Sequence, residues 1–285
     1  GFTGIRAICS DTQQSKGCNN NTISGNLFRG GSNYGVQFTT DRGPSKNNTI
    51  EYNTFLEYFF GAVALMSWDD DNLIVSNAFI DNFPIEPAQC SDSSFSHWND
   101  SDSGNYWNDH TTPDLNEDGI VDDGYIMMGG NIDHYPLVSP LWIETPADLQ
   151  EFGTSAVVSG VLVNHHLAAE FTLENTATGE TVNVTAQTHW SKEVELTTGE
   201  NTIVVSMEDI DGRTYSDQVI LVRTTPSVSV EPANGTITYT SEQNFNITVD
   251  AGGWEWLDHI LVQNIPESGT PYWWSIDTRF DVHYH

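Results

Sequence analysis

The stretch Asn47-Asn48-Thr49-Ile50-Glu51-Tyr52-Asn53-Thr54-Phe55 decides the fold, because closely similar stretches stand before and after it. The other two copies are Asn20-Asn21-Thr22-Ile23-Ser24-Gly25-Asn26-Leu27-Phe28 and Asp71-Asn72-Leu73-Ile74-Val75-Ser76-Asn77-Ala78-Phe79. Their central isoleucines are 27 and 24 residues apart. A second, glycine-led apolar phrase recurs in the same order as Gly4–Ile8, Gly35–Phe38 and Gly61–Leu65. Each repeat therefore predicts two or three short strands separated by Asn, Gly and Asp turns.

The repeats indicate stacked coils and not helices, since their apolar residues alternate with a period of two. One such unit cannot bury its own apolar face, but units stacked about 4.8 Å apart can bury it together. Equivalent asparagines then align at the turns, where they bond neighbouring backbone and tolerate a left-handed conformation. The predicted fold is all-β and begins with a parallel β-helix over residues 1–140. Its right-handedness is expected from the general chirality of parallel crossovers.

The repeats are followed by a closing motif that resembles a known family. Its parts are Gly104-Asn105-Tyr106-Trp107, an acidic loop from Asp114 to Asp123, and Ile132-Asp133-His134-Tyr135-Pro136-Leu137. With the repeats, it looks like the end of a NosD-like β-helix, a family described as periplasmic copper-binding proteins. That family overlaps the carbohydrate-binding and sugar-hydrolase β-helix repeats, and similar modules occur in archaeal surface proteins beside immunoglobulin-like domains. The resemblance covers about residues 1–140 and implies the fold more firmly than an activity.

The acidic loop has the order of a calcium-binding loop. Oxygen ligands fall at its positions 1, 3 and 5, a sharp turn at Gly119, a backbone carbonyl at 7 and a carboxylate at 9. Position 12 is Tyr125 where an EF-hand has a bidentate Glu, so Asp123 or Asp133 would have to complete the shell. The pattern predicts a Ca²⁺ ion that fastens the cap of the β-helix, and a solvated acidic turn is the alternative. The predicted metal ligands are Asp114, Asn116, Asp118, Ile120, Asp122 and Asp123.

The second half of the chain changes to the alternation of antiparallel strands. Residues 139–148 read as an extended linker, and about seven short strands follow with turn signals at 175–179 and Asp211-Gly212. This pattern predicts an Ig-like β-sandwich over 147–225. Residues 226–285 predict a second, incomplete sandwich. Its aromatic residues fit a core or an interface better than a sugar-stacking face: Trp254, Trp256, Tyr272, Trp273 and Trp274.

The composition excludes several classes of partner. The formal net charge is −31, with 9 basic residues against 40 acidic ones. Such a surface repels nucleic acid and anionic lipid, and salt or bound cations must relieve its self-repulsion. No apolar run approaches the roughly 18 residues of a membrane span. Both ends stop in mid-pattern, so we expect a mature or truncated piece of a longer protein.

The spread of glycosylation sequons favours a location outside the cytoplasm, and the cysteines allow one disulfide. Six Asn-x-Ser/Thr sequons are spread along the chain, at Asn20, Asn47, Asn99, Asn183, Asn234 and Asn246. Three cysteines allow one disulfide, for which Cys9 and Cys18 are the expected pair and Cys90 the remainder. Their spacings fit no redox, zinc or haem motif. We therefore predict an extracellular or cell-surface glycoprotein.

Catalysis and copper binding are weaker hypotheses. Asp69-Asp70-Asp71 follows a turn of the kind on which β-helix glycosidases carry paired carboxylates, but a single repeat has this cluster, and an exposed acidic turn is the simpler reading. The copper implied by the resemblance lacks a Met–His or Cys–His cluster in the sequence. The nine histidines are neighbours only at 165–166 and 283–285.

The expected function is accordingly structural and non-enzymatic. We expect a calcium-stabilised surface protein that adheres to or assembles with copies of itself or other surface proteins, in a layer, sheath or filament. The alternative is a β-helix protein that binds or cleaves polysaccharide, with glycans as partners.

Overall fold

In a computed structural model of the protein, the described residues are 5–7, 18–38, 44–66, 69–82, 88–224, 227–231, 246–250, 260–264 and 272–276. In these residues, β-strands are joined by turns, and the single helical element is a 3-10 turn at His165–Leu167. The prediction of an all-β chain is therefore confirmed for this part of the protein. Across the same residues, no helix is both long and apolar enough to cross a lipid bilayer.

Residues 5–133 contain the first thirteen strands, most of them short. In chain order they are β1 (Ile5–Ala7), β2 (Thr22–Ser24), β3 (Leu27–Gly31), β4 (Tyr34–Phe38), β5 (Thr49–Glu51), β6 (Thr54–Tyr58), β7 (Gly61–Leu65), β8 (Leu73–Val75), β9 (Ala78–Ile80), β10 (Ser91–Asp92), β11 (Tyr106–Trp107), β12 (Tyr125–Ile126) and β13 (Ile132–Asp133). Three parallel sheets follow from them: a first sheet β1-β4-β7-β10, a second β2-β5-β8 and a third β3-β6-β9-β11. Each of the three complete coils (β2–β4, β5–β7 and β8–β10) contributes one strand to each sheet, as in a three-sided parallel β-helix.

The register of the second sheet confirms the repeat read from the sequence. Ile23 pairs with Ile50, and Ile50 pairs with Ile74. Ile50 and Ile74 are fully buried, and Ile23 packs on the same core from the first described coil. The three isoleucines therefore form one inward-facing column, which is the arrangement that makes a unit of this size stable only in a stack.

Aromatic rings form a second column inside the third sheet. Phe28 stacks on Phe55 at 4.8 Å between ring centroids, and Phe55 on Phe79 at 5.2 Å. Trp107 continues the column at 4.2 Å from Phe79, and Tyr125 ends it at 4.0 Å from Trp107. Because each ring covers the one below it, the column buries large apolar surfaces along the whole axis.

Asparagine side chains form a ladder at the turn between the second and third sheets. Asn26 donates from its backbone N–H and from Nδ2 to Oδ1 of Asn53, both at 3.0 Å. Asn53 donates in the same way to Asn77, and Asn77 to Asn105. Each interior asparagine thus accepts two hydrogen bonds from the coil before it and donates two to the coil after it. A parallel ladder joins Asn21, Asn48 and Asn72.

A two-layer sandwich follows the β-helix. Its strands are β14 (Leu141–Thr145), β15 (Gln150–Phe152), β16 (Ser155–Leu162), β17 (Ala168–Asn175), β18 (Glu180–Asn183), β19 (His189–Glu195), β20 (Gly199–Asp209) and β21 (Thr214–Arg223). One sheet has the order β14-β16-β19 and the other β15-β21-β20-β17-β18. All neighbours are antiparallel except β15 and β21. Side chains of both sheets share one core, in which Trp190 and Phe171 meet edge to face.

The sandwich agrees with the predicted turns and differs at the predicted linker. Turns at 176–179 and 210–213 join neighbouring strands, with Gly179 and Gly212 in the left-handed region as the sequence indicated. Within residues 139–148, Leu141–Thr145 is extended, as expected, but this segment does not form a free linker. Leu141–Thr145 pairs with β16, and Leu141 is buried in the sandwich core. Burial of this apolar segment outweighs the loop tendency of the two prolines that flank it.

Residues beyond 224 are described only as two strand pairs. The strands β22 (Ser227–Glu231) and β23 (Asn246–Asp250) are antiparallel, and so are β24 (Ile260–Asn264) and β25 (Tyr272–Ile276). Trp254 and Trp256 lie outside the described residues. The second sandwich stays a prediction.

The sandwich packs directly on the outer face of the third β-helix sheet. Leu56, Ala78 and Ile80 point outward from that sheet and are nevertheless fully buried. They form one cluster with Val161, Val163 and Leu167 of the sandwich: these six buried residues are joined at their margin by Tyr52, Tyr106 and Trp142. An outward apolar face that would be exposed on an isolated β-helix is thereby removed from water.

Polar contacts fix the orientation of this joint between the two units. Arg213 of the sandwich pairs with Asp81 of the β-helix, and Arg29 of the β-helix lies 3.8 Å from Asp211 of the sandwich. Thr54 Oγ1 donates to the carbonyl of Val163 at 3.2 Å. Each unit thus contributes one arginine and one aspartate to the ion pairs across the joint. Rotation of one unit on the other would break several of these contacts at once.

Candidate functional site

The end of the β-helix is closed by a hairpin made from β12 and β13. These strands pair antiparallel, with Tyr125 opposite Asp133, and residues 127–131 form the turn. Met128 pairs in parallel with Ser91 of the first sheet, and Leu137 with Tyr106 of the third. Gly129 has φ +114°, and a Cβ there would lie 2.0 Å from the carbonyl oxygen of Asp92, so this turn requires glycine. The hairpin and the chain that follows it thus form a last, partial coil.

Asp133 ends the asparagine ladder inside this cap. Its Oδ2 accepts from the backbone N–H of Asn105 at 2.8 Å, from Asn105 Nδ2 at 3.2 Å and from Trp107 Nε1 at 2.9 Å. Its Oδ1 accepts from the backbone N–H of Tyr135 at 3.1 Å. Burial raises the pKa of Asp133 from 3.8 to about 6, against the opposing effect of these donors. A carboxylate, which only accepts hydrogen bonds, suits the last rung, because no further coil follows to accept a hydrogen bond from an Asn Nδ2.

A second buried carboxylate fastens the same cap to the first sheet. Asp92 accepts from Trp98 Nε1 at 2.6 Å and from Asn131 Nδ2 at 2.7 Å. Ser94 adds its backbone N–H and its hydroxyl at 2.7 and 2.6 Å. Asn131 in the turn of the cap is thus tied to Asp92 of the first sheet, and Asp133 of the cap to Trp107 of the third.

The predicted calcium ligands lie in the loop between this cap and the last coil. Asp114 Oδ2 accepts from Gly119 N–H at 2.8 Å, and Asp118 Oδ1 from Ile120 N–H at 2.9 Å. Asp122 Oδ2 accepts from the N–H of Leu115, and Asn116 Nδ2 donates to Asp118 Oδ2, both at 3.0 Å. The side-chain oxygens of the loop are thus turned toward its own amides.

The prediction of calcium is wrong. In the part of the chain that the structure describes, no group of three or more His, Cys, Asp and Glu side chains is placed to hold a metal ion. The family that matches the β-helix, reported below, is moreover described by copper and not by calcium. The physical reason is visible in the loop, where amide donors occupy the oxygens that a cation would need. Asp133, considered as a further ligand, is buried in the ladder instead.

Beside the cap lies a cleft that the sequence did not indicate. It has a volume of about 450 Å³ and is lined by Ala88, Asp109, His110, Gly124, Tyr125, Ile126, Met127 and Met128. The ring of His110 stands edge-on to Tyr125 at 5.5 Å, and its Nε2 lies 2.7 Å from the carbonyl oxygen of Asp123. A carbonyl can only accept, so Nε2 of His110 donates this hydrogen bond.

One histidine and two methionines are among the residues that line the cleft. Met127 is buried, with 2% of its surface exposed, whereas Met128 is 39% exposed. Their backbones are fixed by hydrogen bonds to Asn131 and Cys90, at 2.9 and 3.1 Å. Because 17 and 18 residues separate the two methionines from His110, no local sequence pattern could have shown this set.

The predicted glycosylation sites are differently exposed. Asn20, Asn47 and Asn183 are exposed and Asn99 is half-buried. Asn234 lies outside the described residues, and nothing is described of the side chain of Asn246. Asn20 and Asn47 are in the left-handed region, with φ of 59° and 55°, at equivalent turns of neighbouring coils. Glycosylation itself stays a prediction.

Cys18 is disulfide-bonded and Cys90 is a free, buried thiol. The expected partner Cys9 lies outside the described residues, so the pairing stays a prediction. Burial raises the pKa of Cys90 well above its usual value, which keeps the thiol protonated.

The aspartates considered for catalysis have structural partners. Asp69 is fully buried and accepts from the backbone N–H groups of Ser45 and Met66 at 2.9 and 3.0 Å. Asp70 lies 2.9 Å from Lys46 Nζ. Asp69 therefore fixes the turn between two coils, and the pair does not offer two free carboxylates to a sugar.

Residues 8–112 match a protein family described as "Periplasmic copper-binding protein (NosD)". The match spans the coils and ends just after His110, before the hairpin of the cap. It supports the NosD-like β-helix type, and the description agrees with a protein outside the cytoplasm. It also names metal binding and no catalysed reaction, in agreement with a non-enzymatic protein. No curated protein shows a significant match to this chain.

The donors within the matched residues do not fit copper by themselves. This span holds two histidines, His97 and His110, and one methionine, Met66. His97 bridges to Leu73 of the second sheet, whereas His110 lies at the cap beside Tyr125. Cys18 is in a disulfide and Cys90 is a buried thiol. His110 shares the lining of the cleft with Met127 and Met128, and both methionines lie beyond the match.

Proposed function

We propose that this protein is a non-enzymatic structural component of the cell exterior, in which a rigid β-helix carries a sandwich module. The observation that carries the proposal is the joint between the two units. Six buried apolar residues and ion pairs in both directions lock the sandwich onto one β-helix sheet. A body without an internal hinge is suited to transmit load and to repeat in a regular array.

We further propose that the sandwich is Ig-like and that copies of the chain, or the chain and other surface proteins, associate in a layer, sheath or filament. Support for the first point comes from the strand order β14-β16-β19 against β15-β21-β20-β17-β18, with a parallel first edge strand. The second is supported by the long, flat faces that stacked sheets present. Metal ions are not part of this proposal.

Electron microscopy of the purified protein, combined with sedimentation velocity over a hundredfold range of concentration, tests the assembly. Both are done in a chelator-containing buffer, so that adventitious cations do not contribute. Ordered sheets or filaments, or reversible growth of the sedimentation coefficient, are expected. A single monomeric species at every concentration and salt level would contradict self-assembly and leave the partner to be sought among other surface proteins.

A carbohydrate-binding protein is the second candidate. Phe59 and Phe60 are 44% and 48% exposed and meet edge to face at 5.2 Å, with Tyr34 at 6.3 Å from Phe60. Exposed rings can stack on sugars. Binding of neutral glycans on an array, lost in Phe60→Ser and kept in Leu115→Ser on the exposed acidic loop, would favour this function over assembly.

A further inference from the structure

We propose that two of the three sequons in the β-helix, those at Asn20 and Asn47, carry N-linked glycans in a row along one corner of the β-helix, and that the third, at Asn99, stays unmodified. The three are equivalent as sequence patterns, since each has a hydroxyl residue two positions after the asparagine. They differ in where the fold places the asparagine amide. The proposal goes beyond the structural function and does not depend on it.

Asn20 and Asn47 occupy the same corner of two neighbouring coils, just before the second sheet. Both have the left-handed backbone that asparagine tolerates, with φ of 59° and 55°, and both side chains are exposed. The N–H of Asn20 donates to the carbonyl of Lys46 at 3.2 Å, so backbone contacts hold the corner in place. Asp71 takes this position in the next coil, with φ of 57°, and an aspartate has no amide to modify. The row therefore consists of two acceptors.

The rest of each sequon is divided between the inside and the outside of the coil. Asn48 is buried in its ladder, where its Oδ1 accepts from the backbone N–H and from Nδ2 of Asn21 at 3.0 and 2.9 Å. Thr22 and Thr49 pair with each other in the second sheet, one residue before inward-facing isoleucines. Successive side chains of a strand point to opposite faces. The threonine hydroxyl and the asparagine amide of each sequon thus both lie on the outer surface, where a transferase can reach them.

The amide of Asn99, by contrast, is engaged at both ends. Its Nδ2 donates to the carbonyl of Asp100 at 2.7 Å, and its Oδ1 accepts from the backbone N–H of His134 at 3.1 Å. The half-buried side chain thereby joins the last coil to the chain that follows β13. In the same sequon, the Ser101 hydroxyl donates to Asp102 at 2.7 Å. A transferase would have to break the contact with His134 before it could turn this Nδ2 toward a sugar donor.

The modification needs a second substrate, an oligosaccharide linked to a polyprenyl pyrophosphate, and a membrane-bound transferase. A bond forms between the asparagine Nδ2 and C1 of the first sugar, while the bond between C1 and the phosphate oxygen breaks. The pyrophosphate leaves with that electron pair, and the amide loses one proton. Because strands of neighbouring coils lie about 4.8 Å apart, glycans on Asn20 and Asn47 are attached side by side and cover this corner with bulky, hydrophilic groups.

Glycopeptide mass spectrometry of the secreted full chain tests the proposal. The chain is produced in a host that transfers lipid-linked oligosaccharide to Asn-x-Ser/Thr sequons outside the cytoplasm. Enzymatic release of the glycans in ¹⁸O-labelled water then converts each modified asparagine to labelled aspartate. We expect label at Asn20 and Asn47, and Asn99 without label.

Three variants separate the effect of the sequon from the effect of the fold. Asn47→Gln and Thr49→Val each destroy one sequon and should each remove one glycan from the intact mass. Thr49→Val keeps Asn47 in its left-handed turn and keeps a β-branched residue in the strand, so it disturbs the coil least. Ser101→Thr is the matched control, because it gives Asn99 the same hydroxyl residue as the other two sequons and should still add no glycan.

A free peptide of residues 95–105 shows whether the fold protects Asn99. With purified transferase and lipid-linked donor, this peptide should be modified. The purified, unglycosylated full chain should be modified under the same conditions at Asn20 and Asn47 and should stay unmodified at Asn99.

Label at Asn99 in the secreted chain, or its absence at Asn20 or Asn47, would overturn the proposal. A free peptide that the transferase rejects would show that the local sequence and not the fold spares Asn99, which overturns that part of the argument. Circular dichroism of each variant separates loss of a glycan from loss of the fold.

Discussion

At the scale of single residues, the buried carboxylate of Asp133 decides how the cap responds to pH. Its folded-state pKa is raised to about 6, so the folded protein keeps a proton that the unfolded chain releases from about pH 4 upward. The stability contributed by that proton is complete below about pH 4, falls as the pH rises through 6, and is constant above. A change from 3.8 to about 6 corresponds to about 3 kcal/mol.

We therefore expect Asp133→Asn to flatten the pH dependence of unfolding between pH 4 and 7 by about 3 kcal/mol. Urea unfolding at each pH measures the difference between the variant and the unchanged chain, which cancels the general repulsion among the other acids. Asp102→Asn, at an exposed position, is the control and should leave the slope unchanged. A variant slope equal to that of the unchanged protein would mean that Asp133 is ionised throughout.

At the scale of elements, the ladder needs different groups in its interior and at its end. Asn77 accepts from Asn53 and donates Nδ2 to Asn105 and to the carbonyls of Ile50 and Val75. In Asn77→Asp, a carboxylate oxygen would replace the Nδ2 donor. It would face the three oxygens to which Nδ2 donates, in a site from which water is excluded. We expect a loss of more than about 3 kcal/mol of stability, since one buried carboxylate oxygen would keep the donors of Asn53 but the other would face three acceptors and no donor.

The first rung provides the matched comparison for that variant. Asn26 is exposed, and water can solvate a carboxylate there. Asn26→Asp should therefore cost less than about 1 kcal/mol. Chemical unfolding followed by tryptophan fluorescence measures both variants, and equal losses at the two positions would contradict the ladder as the source of the effect.

The sequence revealed much of this architecture, for a physical reason. Ile23, Ile50 and Ile74 mark their own register, because a coil that stacks on its copy must repeat the same residue at the same place. The partners of Asp133 and Asp92 escaped prediction, since Asp133 accepts from Trp107, 26 residues away, and Asp92 from Asn131, 39 residues away. The calcium prediction failed because the oxygen-bearing residues of the acidic loop follow the order of a calcium-binding loop. That order along the chain does not show whether the side-chain oxygens face a cation or the amides of the loop itself.

The cleft escaped prediction for a related reason. Neither His110 nor the pair Met127-Met128 has a chemical signature alone. They line the same cleft because the hairpin folds back over the last coil, and that return is a property of the cap and not of any repeat.

At the scale of the whole molecule, the joint makes the β-helix and the sandwich depend on each other. Leu56 lies on the outside of its own sheet, yet it is fully buried under the sandwich. Leu56→Ala should cost about 2–5 kcal/mol, as a core position does, and couple with Leu167→Ala in a double-mutant cycle. Val157→Ala, at a side chain 58% exposed, should be nearly neutral. If Leu56→Ala were as harmless, the two units would not be docked in solution.

The net charge of −31 leads to a prediction for the whole molecule as well. Added salt screens repulsion among exposed carboxylates, so the melting temperature should rise between 0.05 and about 1 M sodium chloride. The ion pairs at the joint are themselves partly screened, which opposes the effect but involves few residues. Calorimetry over the salt series measures the balance, and a melting temperature that falls with salt would show that the pairs outweigh the repulsion.

The one-way ladder has a consequence for how such a protein can change in length. Every asparagine of the ladder before Asp133 makes the same hydrogen bonds as its neighbours and could replace them. The carboxylate, by contrast, fits only at the last position of the ladder. Evolution can therefore lengthen or shorten the rod by duplicating or losing whole turns of 24 to 28 residues upstream of the terminator. Insertion or loss of only part of a coil would turn apolar side chains from the core toward solvent. It would also leave one asparagine of the ladder without its partner in the next coil.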